Sequence, residues 1–187
     1  GRYAYGNQPS IIQWNLARLA EPLLPLIHDD TERSVELATT ALRGFADRFD
    51  SRWLDGMRSK LGLAVGDGGD PALVNDLLTV LHDQRVDHTR FFRRLSSAVA
   101  GDLTEVAALF MEPASLAAWA PRWFSRLSDE GREPAVVAEA MDAVNPAYIP
   151  RNHLVEEALD AASTVGDLVP LRRLLDAVTQ PFHERRG

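Results

Sequence analysis

Residues 42–61 read LRGFADRFDSRWLDGMRSKL and carry the clearest fold signal in the chain. Large apolar side chains recur there every three or four residues, at Leu42, Phe45, Phe49, Trp53, Met57 and Leu61. That spacing aligns them along one face of an α-helix. Because large apolar side chains at helical spacing usually pack in an interior, the stripe predicts a long helix that contributes to the core.

The same periodicity recurs on both sides of this helix. Upstream, it predicts a helix over 11–27, with Ser10 as its N-cap, a bend at Pro22 and an end near Pro25. Downstream, apolar residues at helical intervals predict helices after Asp70, from Asp87, and after Gly101 and Gly166, with further segments over 116–127 and 134–144. No segment alternates as a strand does, so the predicted fold class is all-α.

A glycine-rich stretch, GDGG at 66–69, interrupts the helical pattern. It resembles a phosphate-binding loop only superficially, because no strand pattern precedes it and no Lys-Ser or Lys-Thr pair follows the glycines. We therefore expect a solvent loop, followed by a helix with Asp70 as N-cap and Pro71 as its first residue.

The composition limits the class of protein. The chain has 187 residues, 45% of them hydrophobic and 25% charged, which suits a single helical domain over residues 1–187. The formal net charge of -7 would repel a phosphate backbone, so we expect no nucleic-acid partner. No apolar run is long enough to cross a bilayer and no secretory signal opens the chain, so we expect no membrane partner and a cytoplasmic location.

The sequence offers little catalytic chemistry of its own. It has no cysteine, which excludes disulfides, thiolate metal sites and cysteine nucleophiles from this chain. Its five histidines form no HExxH pattern, and no GxSxG motif occurs. We therefore predict no catalytic, cofactor-binding or metal-binding residue in these 187 residues.

Two polar, irregular segments remain as candidates for a supporting role. The first is the opening run over 1–10, where Arg2, Asn7 and Gln8 accompany glycines and a proline that we expect to prevent regular structure. The polar groups of such a loop must find partners in the rest of the protein.

The second candidate is NPAYIPRNH at 145–153, which joins two predicted helices. Its prolines stiffen the connection, and Arg151, Asn152 and His153 fall in the first turn of the following helix. Free N–H groups at that turn, beside a guanidinium and an amide, are typical of an anion-binding or loop-docking site. The alternative is a rigid connection whose polar groups hold neighbouring backbone, and the residues slightly favour it.

Several motifs, in this order, resemble the C-terminal part of the selenoprotein O family. They are GRYAYGNQP at 1–9, WNLARLAEPLLPLI at 14–27, MRSKLGL at 57–63, TRFFRRL at 89–95, NPAYIPRNHLVEEAL at 145–159 and the stretch from GDL at 166–168 to QPF at 180–182. The resemblance covers nearly the whole chain, and the first and fifth motifs are its most specific parts.

The resemblance implies a pseudokinase with a protein-kinase-like fold that binds ATP with magnesium and transfers AMP to Ser, Thr or Tyr hydroxyls of protein substrates. In that family the nucleotide-binding and catalytic residues precede the GRYAY motif. This chain would then be a fragment: the helical C-terminal lobe, without the N-lobe and catalytic loop, whose residues 1–10 end an activation-segment-like loop. Its partners would be the N-terminal part of the same protein and the protein substrates, and the chain alone would be inactive, with no cofactor of its own.

Two other interpretations stay open from the residues. The chain could be a non-catalytic helical module that binds another protein, or the C-lobe of a conventional kinase that transfers phosphate. The resemblance also departs from the family at one point, because redox control in some members uses cysteine or selenocysteine near the C-terminus, and this chain has no cysteine.

Overall fold

A computed structural model describes residues 5–185, which form helices and their connections. The α-helices are α1 (Gln8–Ile27), α2 (Thr31–Lys60), α3 (Asp70–Asp83), α4 (His88–Leu95), α5 (Thr104–Ala107), α6 (Pro113–Glu130), α7 (Pro134–Val144), α8 (Asn152–Val165) and α9 (Val169–Thr179). Short 3-10 helices occupy Tyr5–Asn7 and Ser96–Ala100. Residues 5–185 contain no strand, so the all-α prediction is confirmed for them.

Tertiary contacts divide the chain into two compact units, Gly1–Asp55 and Gly56–Gly187, with the division inside α2. In the first unit, the end of α1 is tied to the start of α2. Asp30 caps α2 by accepting a hydrogen bond from the Arg33 N–H (2.8 Å). The buried Ser34 hydroxyl donates to the Leu24 carbonyl, one of the carbonyls that the end of α1 leaves without a helical partner.

The start of α1 corrects two sequence predictions. The helix begins at Gln8 rather than after Ser10, and a 3-10 turn precedes it, so the part of the opening run that the structure describes is not irregular. The physical reason is that Pro9 lies in the first turn, where a helix needs no N–H from it and its fixed φ suits the helix. The helix also continues past Pro22 and Pro25 to Ile27.

The apolar stripe of α2 changes in burial along its length. Met57 and Leu61 are buried in the second unit, whereas Phe45, Phe49 and Trp53 are half-buried. Phe45 and Phe49 stack with ring centroids 6.2 Å apart. The stripe is therefore helical as predicted, but only its C-terminal end reaches a closed core.

The core of the second unit lies between α3, α4, α6 and α7. Its largest fully buried side chains include Trp123, Phe91, Leu77 and Met141. The indole N–H of Trp123 donates to the Leu61 carbonyl (2.9 Å), so the ring is both packed and hydrogen-bonded. This core fixes the end of α2 against the elements that follow it.

The loop over 64–69 is exposed, as predicted, but it is anchored by a buried carboxylate. Asp70 is fully buried and lies in the first turn of α3 rather than at its N-cap, which is Gly69. Its oxygens pair with Arg58 (2.6 Å) and Arg126 (3.0 Å) and accept the Asp67 N–H (2.8 Å). Glu130 accepts the N–H groups of residues 64 and 65, so the loop is held at both ends.

Candidate functional site

The opening run does not form a site in the part that the structure describes. Arg2 lies outside the described residues. Asn7 ends the 3-10 turn and Gln8 begins α1, and both residues are exposed. The proposed role of these three residues stays a prediction.

The connection between α7 and α8, residues 145–151, is held by several polar contacts in the second unit. It begins at Asn145, whose side chain is fully buried although the residue is polar. The Asn145 amide nitrogen donates to the Lys60 carbonyl (2.9 Å), and its amide oxygen accepts from the Lys60 ammonium (3.2 Å). Because Lys60 is the last residue of α2, Asn145 caps the C-terminus of that helix.

The Lys60 ammonium lies over an aromatic ring as well. Its nitrogen is 5.3 Å from the centroid of Phe92, a buried residue of α4. Partial burial lowers the pKa of Lys60 below its ordinary value, because desolvation disfavours the charged form. Lys60 thus joins the end of α2, α4 and the α7–α8 connection.

Arg93 of α4 holds the same connection from the other side. Its Nη1 donates to the carbonyl of Asp142 (3.1 Å), in the last turn of α7, and to that of Asn145 (3.3 Å), the first residue of the connection. The Asp142 carboxylate accepts from the Ser96 hydroxyl (2.7 Å). The Arg93 Nε faces outward and pairs with Glu184 (3.1 Å).

The segment over 181–185, here called the C-terminal strap, returns to the connection after α9. The N–H groups of Ala147 (2.7 Å) and Tyr148 (3.3 Å) both donate to the Pro181 carbonyl. The Tyr148 hydroxyl accepts from the Arg185 N–H (2.9 Å). The connection is thus fixed through its backbone by a segment that follows it by more than 30 residues.

The end of the connection contacts the start of α4. Arg151 pairs with Asp87 at 2.6 Å, and Asp87 also caps α4 by accepting the Arg90 N–H (3.0 Å). Partial burial of Asp87 would raise its pKa, but the hydrogen bonds from Arg90 and Arg151 outweigh it and hold the pKa below its ordinary value.

Only one of the three sequence-predicted residues in this region takes part in these contacts. Arg151 joins Asp87, whereas Asn152 and His153 are exposed on the first turn of α8. Sequence reasoning missed Asn145 and Arg93. One signal for Asn145 was available, because an Asn-Pro pair directly after a helix leaves the Asn amide free to bond to other backbone.

The polar side chains of this region contact other parts of the same chain. They are used on backbone carbonyls, helix ends and one another. Among residues 5–185, no three histidine or acidic side chains are grouped as metal ligands.

Within the same residues, no helix combines the length and apolar character needed to cross a membrane.

Comparison with known proteins identifies relatives over the whole length. The family model described as protein adenylyltransferase SelO matches residues 1–179. Proteins named protein nucleotidyltransferase YdiU are similar throughout: one from Cereibacter sphaeroides (strain KD131) is 52% identical over 99% of this chain, and one from Chromobacterium violaceum is 50% identical over all of it. This chain covers 37% and 39% of those two relatives, so it spans well under half of their length.

Proposed function

This chain belongs to the protein adenylyltransferase SelO family, and we propose that it is the helical C-terminal lobe of a longer nucleotidyltransferase that transfers AMP from ATP to Ser, Thr or Tyr hydroxyls of proteins. The observation that supports this most is the family match over residues 1–179, together with relatives named as protein nucleotidyltransferases. We place the protein in the cytoplasm.

We place ATP and magnesium on the remainder of the longer protein. Adenylyl transfer depends on positioning and on neutralising phosphate charge with metal ions and cations. The chain's one lysine, Lys60, is bound to the Asn145 amide and lies over Phe92, and residues 5–185 form no three-ligand metal group. Neither observation points to a Mg-ATP site among residues 5–185, and we propose that the chain alone is inactive.

The role we assign to this chain is mechanical support. The end of α2, the start of α4 and the α7–α8 connection are held together by the Lys60–Asn145 pair, by Arg93 and by the Arg151–Asp87 pair. These contacts fix the positions of the helices and do not use any side chain that we assign to catalysis. We expect the catalytic part of the longer protein to pack against this region.

We propose that α1 packs against the remainder of the longer protein. This 20-residue helix has no buried residue, and large apolar side chains such as Trp14 (52% exposed) and Leu26 (82% exposed) lie on its surface. An apolar surface of this size on a helix is typical of one that has a partner. Because this chain covers only 37% and 39% of the two relatives, the rest of the same polypeptide is the partner that we propose for α1. Protein substrates would bind to the assembled enzyme.

The test is intact-mass spectrometry on two samples, the full-length protein and this chain, each incubated with Mg-ATP and a generic protein acceptor. We expect an adenylyl increment on the acceptor with the full-length protein and none with this chain. A phosphoryl increment would instead indicate a conventional kinase. No increment from either, with a panel of acceptors that includes native lysate proteins, would favour a non-catalytic interaction module.

A further inference from the structure

The contact between the C-terminal strap and the α7–α8 connection has the form of a bound peptide. Two successive backbone N–H groups, of Ala147 and Tyr148, converge on the single carbonyl oxygen of Pro181. Successive N–H groups that point to one spot form a small concave site for an oxygen ligand. Three residues further along the strap, the Glu184 carboxylate meets the Arg93 guanidinium at 3.1 Å.

On the receiving side of this contact, Arg93 is held by residues outside the strap. Arg93 is held by the carbonyls of Asp142 and Asn145 and by the Asp142 carboxylate (3.2 Å), and its side chain is only 14% exposed. Because its Nη1 is used in these contacts, its Nε stays directed at the strap. A site that is ordered before its ligand arrives loses little conformational entropy on binding.

The strap itself is held by surface contacts. The Glu184 side chain is 69% exposed, and Phe182, its one large apolar side chain, is 40% exposed. Segments with few buried apolar contacts and exposed hydrogen bonds open at low free-energy cost. The strap is thus the part of the contact that another peptide can displace, and the Arg93 side is the part that stays in place.

We propose that the Ala147–Tyr148 N–H pair and Arg93 form a peptide-binding site whose resident ligand is the chain's own C-terminal strap. The site takes a segment of a partner protein that, like the strap with its turn at 181–182, presents a carbonyl oxygen and, three residues later, a carboxylate. The guanidinium selects the carboxylate by charge, and the N–H pair fixes the register of the peptide backbone. A partner binds when its segment displaces the strap. The proposal does not depend on nucleotidyl transfer.

The test measures binding of a labelled peptide by fluorescence anisotropy in the full-length protein. The probe is a capped peptide with the sequence of residues 180–185, QPFHER, carrying an N-terminal fluorophore. In the Glu184→Ala variant the strap loses its ion pair and opens more often, so the peptide should bind about two- to fivefold more tightly than to the unaltered protein. The same peptide with its Glu replaced by Gln should bind more weakly to both proteins.

The matched control is Glu156→Ala, which removes another exposed carboxylate, on α8, and should leave peptide affinity unchanged. Equal affinity of the unaltered protein and the Glu184→Ala variant would show that the strap does not occupy the site. Absence of binding to either protein, or equal binding of the Glu and Gln peptides, would overturn the proposal.

Discussion

Removing the charge of Asp70 should lower the free energy of unfolding of the second unit. The contacts of Asp70 give the size of the effect. The carboxylate is fully buried and accepts from Arg58 (2.6 Å), Arg126 (3.0 Å) and the Asp67 N–H (2.8 Å). In Asp70→Asn, the amide NH2 would face one of these donors, and the charge of Asp70 would be lost to both guanidinium groups. Loss of one partner from a buried ion pair costs about 3–5 kcal/mol, and we expect about 3 kcal/mol because Arg126 keeps Glu130 (3.1 Å).

The assay is urea unfolding at neutral pH, with Asp76→Asn as the matched control. Asp76 lies in the same helix and pairs with Arg122 at 2.5 Å, but both side chains are about half exposed. Exposed pairs contribute about 0–1 kcal/mol, so the control should change the free energy of unfolding by less than about 1 kcal/mol. A loss below about 1 kcal/mol for Asp70→Asn, or equal losses for the two variants, would refute the reasoning.

Acid should remove the difference between the unaltered protein and the Asp70→Asn variant. Burial would raise the pKa of Asp70, but the hydrogen bonds from Asp67, Arg58 and Arg126 outweigh it and lower the pKa below its ordinary value. A carboxylate with a lowered folded-state pKa stabilises the fold fully above its unfolded-state pKa, about 3.9. That stabilisation begins to fall below about pH 4 and disappears as the pH falls through the folded-state pKa, so the two unfolding curves should converge below the folded-state pKa. A difference that persists there would contradict the assignment.

Three further outcomes are expected. Asn145→Ala should lower the free energy of unfolding by about 1–3 kcal/mol in urea titrations, because it leaves buried partners without a hydrogen bond, whereas the exposed Asn152→Ala should change it little. Arg151→Ala in the full-length protein should lower the rate of the proposed AMP transfer and change the melting temperature little, since the ion pair of Arg151 is partly exposed. A large drop in melting temperature with normal turnover of the folded protein would instead indicate a structural role. Gly62→Ala should lower the melting temperature more than Gly131→Ala, because both have positive φ but only at Gly62 would the new Cβ meet side-chain atoms, the nearest at 2.6 Å; equal effects would contradict the crowding.

Local chemistry explains which parts of the fold could be predicted from the sequence. Helix α7 occupies Pro134–Val144, the range that its apolar spacing and its proline start indicate. A helix was predicted from Asp87, and Asp87 is the N-cap of α4, a role that needs only neighbours within one turn. The start of α1 was predicted wrongly, since Pro9 was taken as a breaker although it lies where a helix accepts proline.

The contacts that could not be predicted from the sequence join residues that are far apart in the chain. Lys60 and Asn145 are separated by 85 residues, and Arg93 and Glu184 by 91. No periodicity or cap pattern links such pairs, so the Asn-Pro pair could suggest a backbone contact for Asn145 but could not identify Lys60 as its partner. Arg151 was singled out for its place at a helix start, but its partner Asp87 is equally remote in the sequence.

The capped end of α2 has a practical consequence for anyone who wishes to attach a probe to this chain. Lys60 is its one lysine, so amine-directed dyes, biotin esters and crosslinkers have a single side chain to react with. Acylation there would neutralise the ammonium that meets the Asn145 amide and the Phe92 ring. Amine coupling would thus disturb the junction of α2 and α4 in every labelled molecule. At a low concentration of the reagent, the same reaction can be used as a measurement, because the rate at which Lys60 is acylated reports how often that junction opens.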